Sequence, residues 1–269
     1  MALLQFEFYS DCLKRRVPVN MLLPCDKLKM EEAKRPYKTI YLLHGLHDDH
    51  WGWITKSRVR EWAEEYDLAV VCPYGENGFY MDSPVWPYHD YGKFIGQELV
   101  EMTRKVLPLS DRREDTFIGG LSMGGYGAII NGLKYHETFG YIVALSSALN
   151  LFECPESQFD SCDELWHPET SYGDLEAAAK TDVNQRVLVE NVLAETGKNP
   201  ELHFPKMYLA CGSEDFLIRP NRTFVQFLTE KGVDFEYHET PGIHNWKFWD
   251  EYIEKAIKNF LPLQFNGRK

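Results

Sequence analysis

Positive charge is scarce in this chain. Lys and Arg number 29 against 41 Asp and Glu, a formal net charge of −12 over 269 residues. No basic tract offsets that balance; "LKRR" at 13–16 is short and sits in a strand-like stretch, where a solvated turn is its plain reading. A surface of this sign repels phosphate backbones, so nucleic acid is excluded as a partner. Long apolar runs are missing too, and with them any helix that would span a bilayer. The N-terminal "MALLQFEFYSDCLKRR" lacks the basic start, apolar run and small-residue cleavage site of a signal peptide. The expected compartment is the cytoplasm, a leader ahead of this chain aside. The six cysteines contain no CxxC pair, which removes zinc ribbons and dithiol redox motifs. Cys154 and Cys162 are near enough in sequence to pair in an oxidising compartment; reduced thiols are the expectation in the cytoplasm. Internal repeats and low-complexity linkers are absent.

What is present is ordinary globular material, 44% hydrophobic and 26% charged, enough for one α/β domain with a large core. Residues 3–10 and 17–23 flank a charged turn and read as an antiparallel hairpin. After them, short apolar runs alternate with helical periodicities. "KTIYLLHG", "LAVVCP", "DTFIGG", "YIVALSSA", "KMYLACG" and "DFEYHET" read as strands. "VREWAEEY", 93–107, "MGGYGAIINGLKYH", "NRTFVQFLTEKG" and "NWKFWDEYIEKAIKNFL" read as helices. Such alternation implies a mostly parallel sheet covered on both faces. Residues 148–204 break the pattern with prolines, scattered acids and one helix around 182–196. They read as an insertion over the strand ends, a lid or pocket wall within the single domain 1–269.

Four glycines crowd one serine in "TFIGGLSMGGYGAII" (116–130). Gly120-Leu121-Ser122-Met123-Gly124 matches G-x-S-x-G where a strand hands over to a helix. In such an elbow the serine takes a strained backbone conformation and stands exposed at the sheet's C-terminal edge. Gly120 and Gly124 are required because a Cβ at either would collide with the neighbouring helix or strand. The Met123 N–H then faces the place where an oxyanion forms.

A serine hydroxyl needs a base, and in this arrangement the order along the chain is Ser, acid, His. His244, in "ETPGIHNWKFW", lies in a glycine-containing loop between the last strand and the last helix. Asp215, in "ACGSEDFLIRP", follows a buried strand and is preferred to Glu214 because a shorter carboxylate suits a group that fixes one imidazole tautomer. The second oxyanion donor is expected from the loop "YLLHGLHDDHWGW", where His44-Gly45 would turn the chain so that the Leu46 N–H faces Ser122. His44, His47 and His50 beside Asp48 and Asp49 also suggest a metal site. The serine chemistry needs none, so no metal and no cofactor are expected. Trp51, Trp53, Phe79, Trp86 and Tyr88 fall on loops after strands and are expected to wall the substrate cleft.

"YLLHGLHDDHWGWI", "NGFYMDS", "IGGLSMGGYGAI", "CGSEDFL" and "GIHNWKFW" together resemble the tributyrin esterase group of the esterase D-like, carbohydrate esterase-like α/β-hydrolases. The resemblance runs over nearly the whole chain and is weakest across 148–204. It implies an α/β-hydrolase fold and a serine carboxylesterase acting on short acyl esters, with acetyl or feruloyl esters of plant-wall sugars among the substrates. Carried over by position, Ser122 is the nucleophile, Asp215 the acid, His244 the base, and Leu46 and Met123 the oxyanion donors. "HDDHW" departs from the small, glycine-containing stretch usual after His-Gly and narrows the pocket mouth. The partner is thus a small-molecule or oligosaccharide ester, and self-association into a homo-oligomer is compatible with the sequence. Within the fold, an S-formylglutathione thioesterase or an acyltransferase are the competing readings. Outside enzymes, the competitor is a catalytically silent carbohydrate-binding protein.

Overall fold

Tyr41 and Leu43 of strand β3 (Thr39–Leu43) join one apolar cluster while Ile40 and Leu42 join a second, and all four are fully buried. The same division holds in β5 (Thr116–Leu121), β6 (Tyr141–Leu145) and β7 (Lys206–Gly212). A strand that buries both faces must lie inside a sheet covered on both sides. The computed structural model describes residues 1–26, 36–149 and 171–267; Cys154 and Cys162, expected as reduced thiols unless the chain is exported, fall outside them.

With β1 (Ala2–Ser10), β2 (Arg15–Leu23), β4 (Ala69–Pro73) and β8 (Phe235–Thr240), these strands form one eight-stranded sheet in the order β1-β2-β4-β3-β5-β6-β7-β8. β1 pairs antiparallel with β2, and β2 with β4; β3 to β8 are parallel to one another. On one face lie the helices Leu99–Val106, Met123–Lys134, Gln185–Thr196 and Ile218–Glu230; on the other, Val59–Glu65 and Trp246–Lys255. This is the α/β-hydrolase architecture expected from the sequence, N-terminal hairpin included.

The helix expected over 93–107 begins earlier, at Tyr91, and passes through a π-helical turn at Phe94–Glu98. The Glu98 carboxylate on that turn accepts from the Ser10 hydroxyl and the Asp11 amide, tying the hairpin to the helix. Within the breaking segment, the helix Gln185–Thr196 starts at an Asn184 cap, and its Leu188, Val189 and Val192 pack into the same cluster as the elbow helix. Tyr126 of that helix donates to the Val183 carbonyl at 2.5 Å. The described end of the segment is therefore anchored in the core.

The strand order reverses around β3, between β4 and β5. Loops leaving β3 and β5 part there, opening a crevice at the carboxyl ends of the strands, where open α/β sheets bind ligands. Among the segments that reach that edge are residues 44–48, Ser122, the loop after β7 and the loop after β8.

Candidate active site

Ser122 separates β5 from the helix Met123–Lys134 and has φ 55° and ψ −118°. A non-glycine residue held there costs of the order of 1–3 kcal/mol, and such strain survives only where neighbours over-determine it. Here the Ser122 N–H donates to Leu145 O at 2.9 Å, and its carbonyl accepts from Tyr126 N and Ala148 N, each at 3.1 Å. A Cβ on Gly120 would strike the Gly124 carbonyl, and one on Gly124 would strike the carbonyls of Leu43 and His44. Both glycines are thus fixed by contact between β3, β5 and the elbow helix.

His244 Nε2 lies 3.1 Å from Ser122 Oγ. Its Nδ1 lies 2.9 and 3.1 Å from the two carboxylate oxygens of Asp215. A carboxylate offers only acceptors, so Nδ1 carries the proton and Nε2 presents its lone pair to the serine. The Asp215 side chain is fully buried, and its Oδ1 also accepts from Leu217 N at 2.8 Å. Glu214, the alternative acid, is exposed. His244 immediately precedes Asn245, whose Oδ1 caps the last helix through Phe248 N at 3.1 Å. Edge-on Trp249, 4.9 Å away, and Phe216, 4.5 Å away, flank the imidazole.

The loop after β3 is ordered by a histidine whose structural part is not legible in sequence. His44 is 1% exposed, and its Nε2 accepts from Gly75 N at 2.9 Å. That leaves the proton on Nδ1, which donates to Gly45 O at 2.8 Å. Burial holds this ring below its ordinary pKa, as a neutral ring engaged at both nitrogens requires. With both nitrogens committed to backbone, His44 is no metal ligand in this conformation. Among the described residues no group of three or more His, Cys, Asp or Glu is arranged to hold a metal ion. The Leu46 N–H meets no acceptor among the described residues, and Met123 opens its helix, where the first N–H groups have no intrahelical partner. Both residues line the cleft beside Ser122.

That cleft has a volume of about 490 Å³. Phe79, Leu121, Met123, Ala148, Leu217, Trp246 and Trp249 give it an apolar wall, with Asp48 and Lys56, paired at 2.9 Å, at its rim. A second, more polar groove of about 510 Å³ shares His47 and Asp48 with it and adds Glu76, Asn77, Trp86 and His89.

The aromatic residues predicted for the wall divide. Phe79 lines the cleft, and Trp86, 54% exposed, lines the groove. Tyr88 is exposed and lines neither. Trp51 starts the short helix Gly52–Lys56 and sets its ring near His50, away from the cleft lining. Trp53 is a correction: it is 1% exposed, donates its indole N–H to Leu43 O at 2.9 Å and belongs to the core. The helical turn at 52–56 points it inward, where a loop reading had it facing substrate. Trp246, Trp249 and Phe216 take the wall positions instead. Their signal was adjacency: each lies within five residues of His244 or Asp215.

A parallel sheet that presents an elbow serine, then an aspartate and then a histidine, all hydrogen-bonded at its carboxyl edge, defines an α/β-hydrolase. The chain belongs to the esterase family: residues 10–260 match the family described as "Putative esterase". An acetyl esterase of Caldicellulosiruptor saccharolyticus is 39% identical over 265 residues, which cover 96% of this chain and 97% of that protein. The substrate-bound structure of FphF, a fluorophosphonate-binding serine hydrolase of Staphylococcus aureus, superposes with TM-score 0.82 at 28% identity, covering 95% of this chain and 96% of that one. The S-formylglutathione hydrolase FrmB of Staphylococcus aureus superposes with TM-score 0.80, also at 28% identity, covering 95% and 97%. The protein is a carboxylic ester hydrolase.

Proposed function

We propose that Ser122 is the nucleophile of a short-chain acyl esterase, with His244 as base, Asp215 as its orienting anion, and the Leu46 and Met123 amides as oxyanion donors. One observation carries this reading: the unbroken relay from Asp215 through His244 to Ser122, with contacts of 2.9–3.1 Å, at an elbow that opens on the cleft. Ser122 Oγ attacks the acyl carbon as its proton moves to His244 Nε2, and the carbonyl oxygen becomes an oxyanion facing the two amides. Collapse breaks the ester bond, and the imidazolium returns the proton to the departing alkoxide. Water, deprotonated by the same nitrogen, attacks the acyl-enzyme; collapse frees the carboxylic acid as the proton returns to Ser122. Asp215 stays ionised and stabilises the imidazolium. None of these steps calls on a metal or cofactor.

The apolar cleft suits a short acyl chain, acetyl foremost, and the 39%-identical acetyl esterase supports that choice. The polar groove suits a hydroxyl-rich alcohol such as a sugar, with the Trp86 indole as a flat face. An S-formylglutathione substrate is the second reading, motivated by FrmB. Among the described residues the groove lining holds no Lys or Arg to meet glutathione's two carboxylates, and its Asp48 and Glu76 already occupy the cations Lys56 and Arg15, which disfavours that substrate. Rates on acetyl, butyryl and feruloyl esters and on S-formylglutathione test the proposal. Acetyl esters should lead; a thioester rate above all the oxygen esters would favour the second reading.

A further inference from the structure

An oxyanion donor faces charge that exists only in the transition state, so its neighbours must hold it in place. The peptide joining Gly45 to Leu46 is held on every other side. Its carbonyl, Gly45 O, accepts from His44 Nδ1 at 2.8 Å and from Asp48 N at 3.3 Å. In a trans peptide the N–H points opposite to the carbonyl, so pinning one aims the other. The preceding peptide is gripped by the loop after β4, where Tyr80 Oη donates to His44 O at 3.1 Å. The following peptide is gripped by the same loop, where Asn77 Oδ1 accepts from His47 N at 2.9 Å. His47, third residue of the turn closed by Asp48 N and Gly45 O, has φ 62°, the left-handed value of a type II turn and one that a non-glycine residue resists.

The gripping loop carries strain of its own. Glu76, Phe79 and Tyr80 have φ of 49°, 53° and 55°. It is rooted in the fold by Asn131 Nδ2, which donates to Tyr80 O at 2.7 Å, and by Arg15, paired with Glu76 at 2.8 Å. Asn77 lines the polar groove and is absent from the cleft beside Ser122.

We infer that Asn77 is a positioning residue for the Leu46 oxyanion donor, acting through the His47 amide. The inference rests on the assignment of Ser122 as nucleophile. Asn77→Ala should lower kcat on p-nitrophenyl acetate by about 10- to 100-fold, less than the roughly 10²- to 10³-fold of removing a donor outright because the Leu46 N–H stays present, with KM little changed. Asn77→Asp, which keeps the acceptor, should recover most of the rate. The affinity of a trifluoromethyl ketone, which forms a tetrahedral adduct, should fall in Asn77→Ala in proportion to kcat/KM. Asn77→Ala within about threefold of wild type in kcat, or an Asp variant no better than Ala at equal melting temperature, would overturn the inference. Ser122→Ala in the same assay separates the two claims: full turnover there removes the nucleophile assignment, whatever Asn77 does.

Discussion

Trp249 stands edge-on to the His244 imidazole, rings 4.9 Å apart and 88° between planes, while its indole N–H is tied to Ser146 Oγ at 3.0 Å. The hydroxyl thereby fixes the wall against which the imidazole rests. Trp249→Phe keeps an edge but loses the tie, and Trp249→Ala loses both. The expected order of kcat is wild type, then Phe, then Ala, with the Ala variant down at least about tenfold, since a base that wanders loses its near-attack geometry. Steady-state kinetics at saturating ester measures this, and equal rates for all three would deny Trp249 any part in holding His244.

Asp215→Asn should cut kcat by about 10⁴, because an amide in place of the anion favours the wrong imidazole tautomer. Glu214→Gln should change it little, since that side chain faces solvent. A larger loss for Glu214→Gln than for Asp215→Asn would move the acid by one residue.

Much of this site was legible in the sequence because each of its polar members lies within four residues of a strand's end. Ser122 and Asp215 follow apolar runs, His244 follows the mixed strand Phe235–Thr240, the three come in a fixed order, and glycines mark the turns. Other features were not legible. Trp53 lies two residues from Trp51, and only the helical turn between them decides which ring faces the core. The partner of His44 is Gly75, thirty-one positions away, a pairing that exists only once β3 and β4 lie side by side. The cleft faces of Trp246 and Trp249 depend on the angle at which the last helix leaves Asn245, which periodicity does not report.

Trp53 and Trp86 should separate packing from recognition. Trp53→Ala empties a buried site and should destabilise the fold by about 3–5 kcal/mol. Any surviving activity should fall alike on small and bulky esters. Trp86→Ala should leave the melting temperature unchanged and weaken kcat/KM for an acetylated sugar by about 1–3 kcal/mol relative to a small aryl acetate. Chemical denaturation and paired substrates check both, and equal losses on the two esters would remove Trp86 from recognition.

The neutral His44 ring makes stability depend on pH. Burial lowers its pKa from 6.5, so below that value the unfolded chain takes up a proton that the folded chain refuses. Its contribution is intact above about 6.5 and declines as pH falls from there toward the lowered folded value. Half-buried His50 shifts the same way, also through burial. Urea titrations between about pH 7 and pH 5 should show a shallower acid limb for His44→Gln than for wild type, though the variant starts lower. Identical slopes would mean that His44 does not titrate with unfolding.

The proposed relay performs covalent chemistry at one hydroxyl. The protein, labelled with a fluorophosphonate and mapped by peptide mass spectrometry, should carry a single adduct, on Ser122. Labelling should vanish in Ser122→Ala and slow sharply in His244→Ala, and in ester turnover the double variant should lose little beyond either single change, because the two side chains act as one unit. An adduct on another residue, or undiminished labelling of Ser122→Ala, would contradict the account.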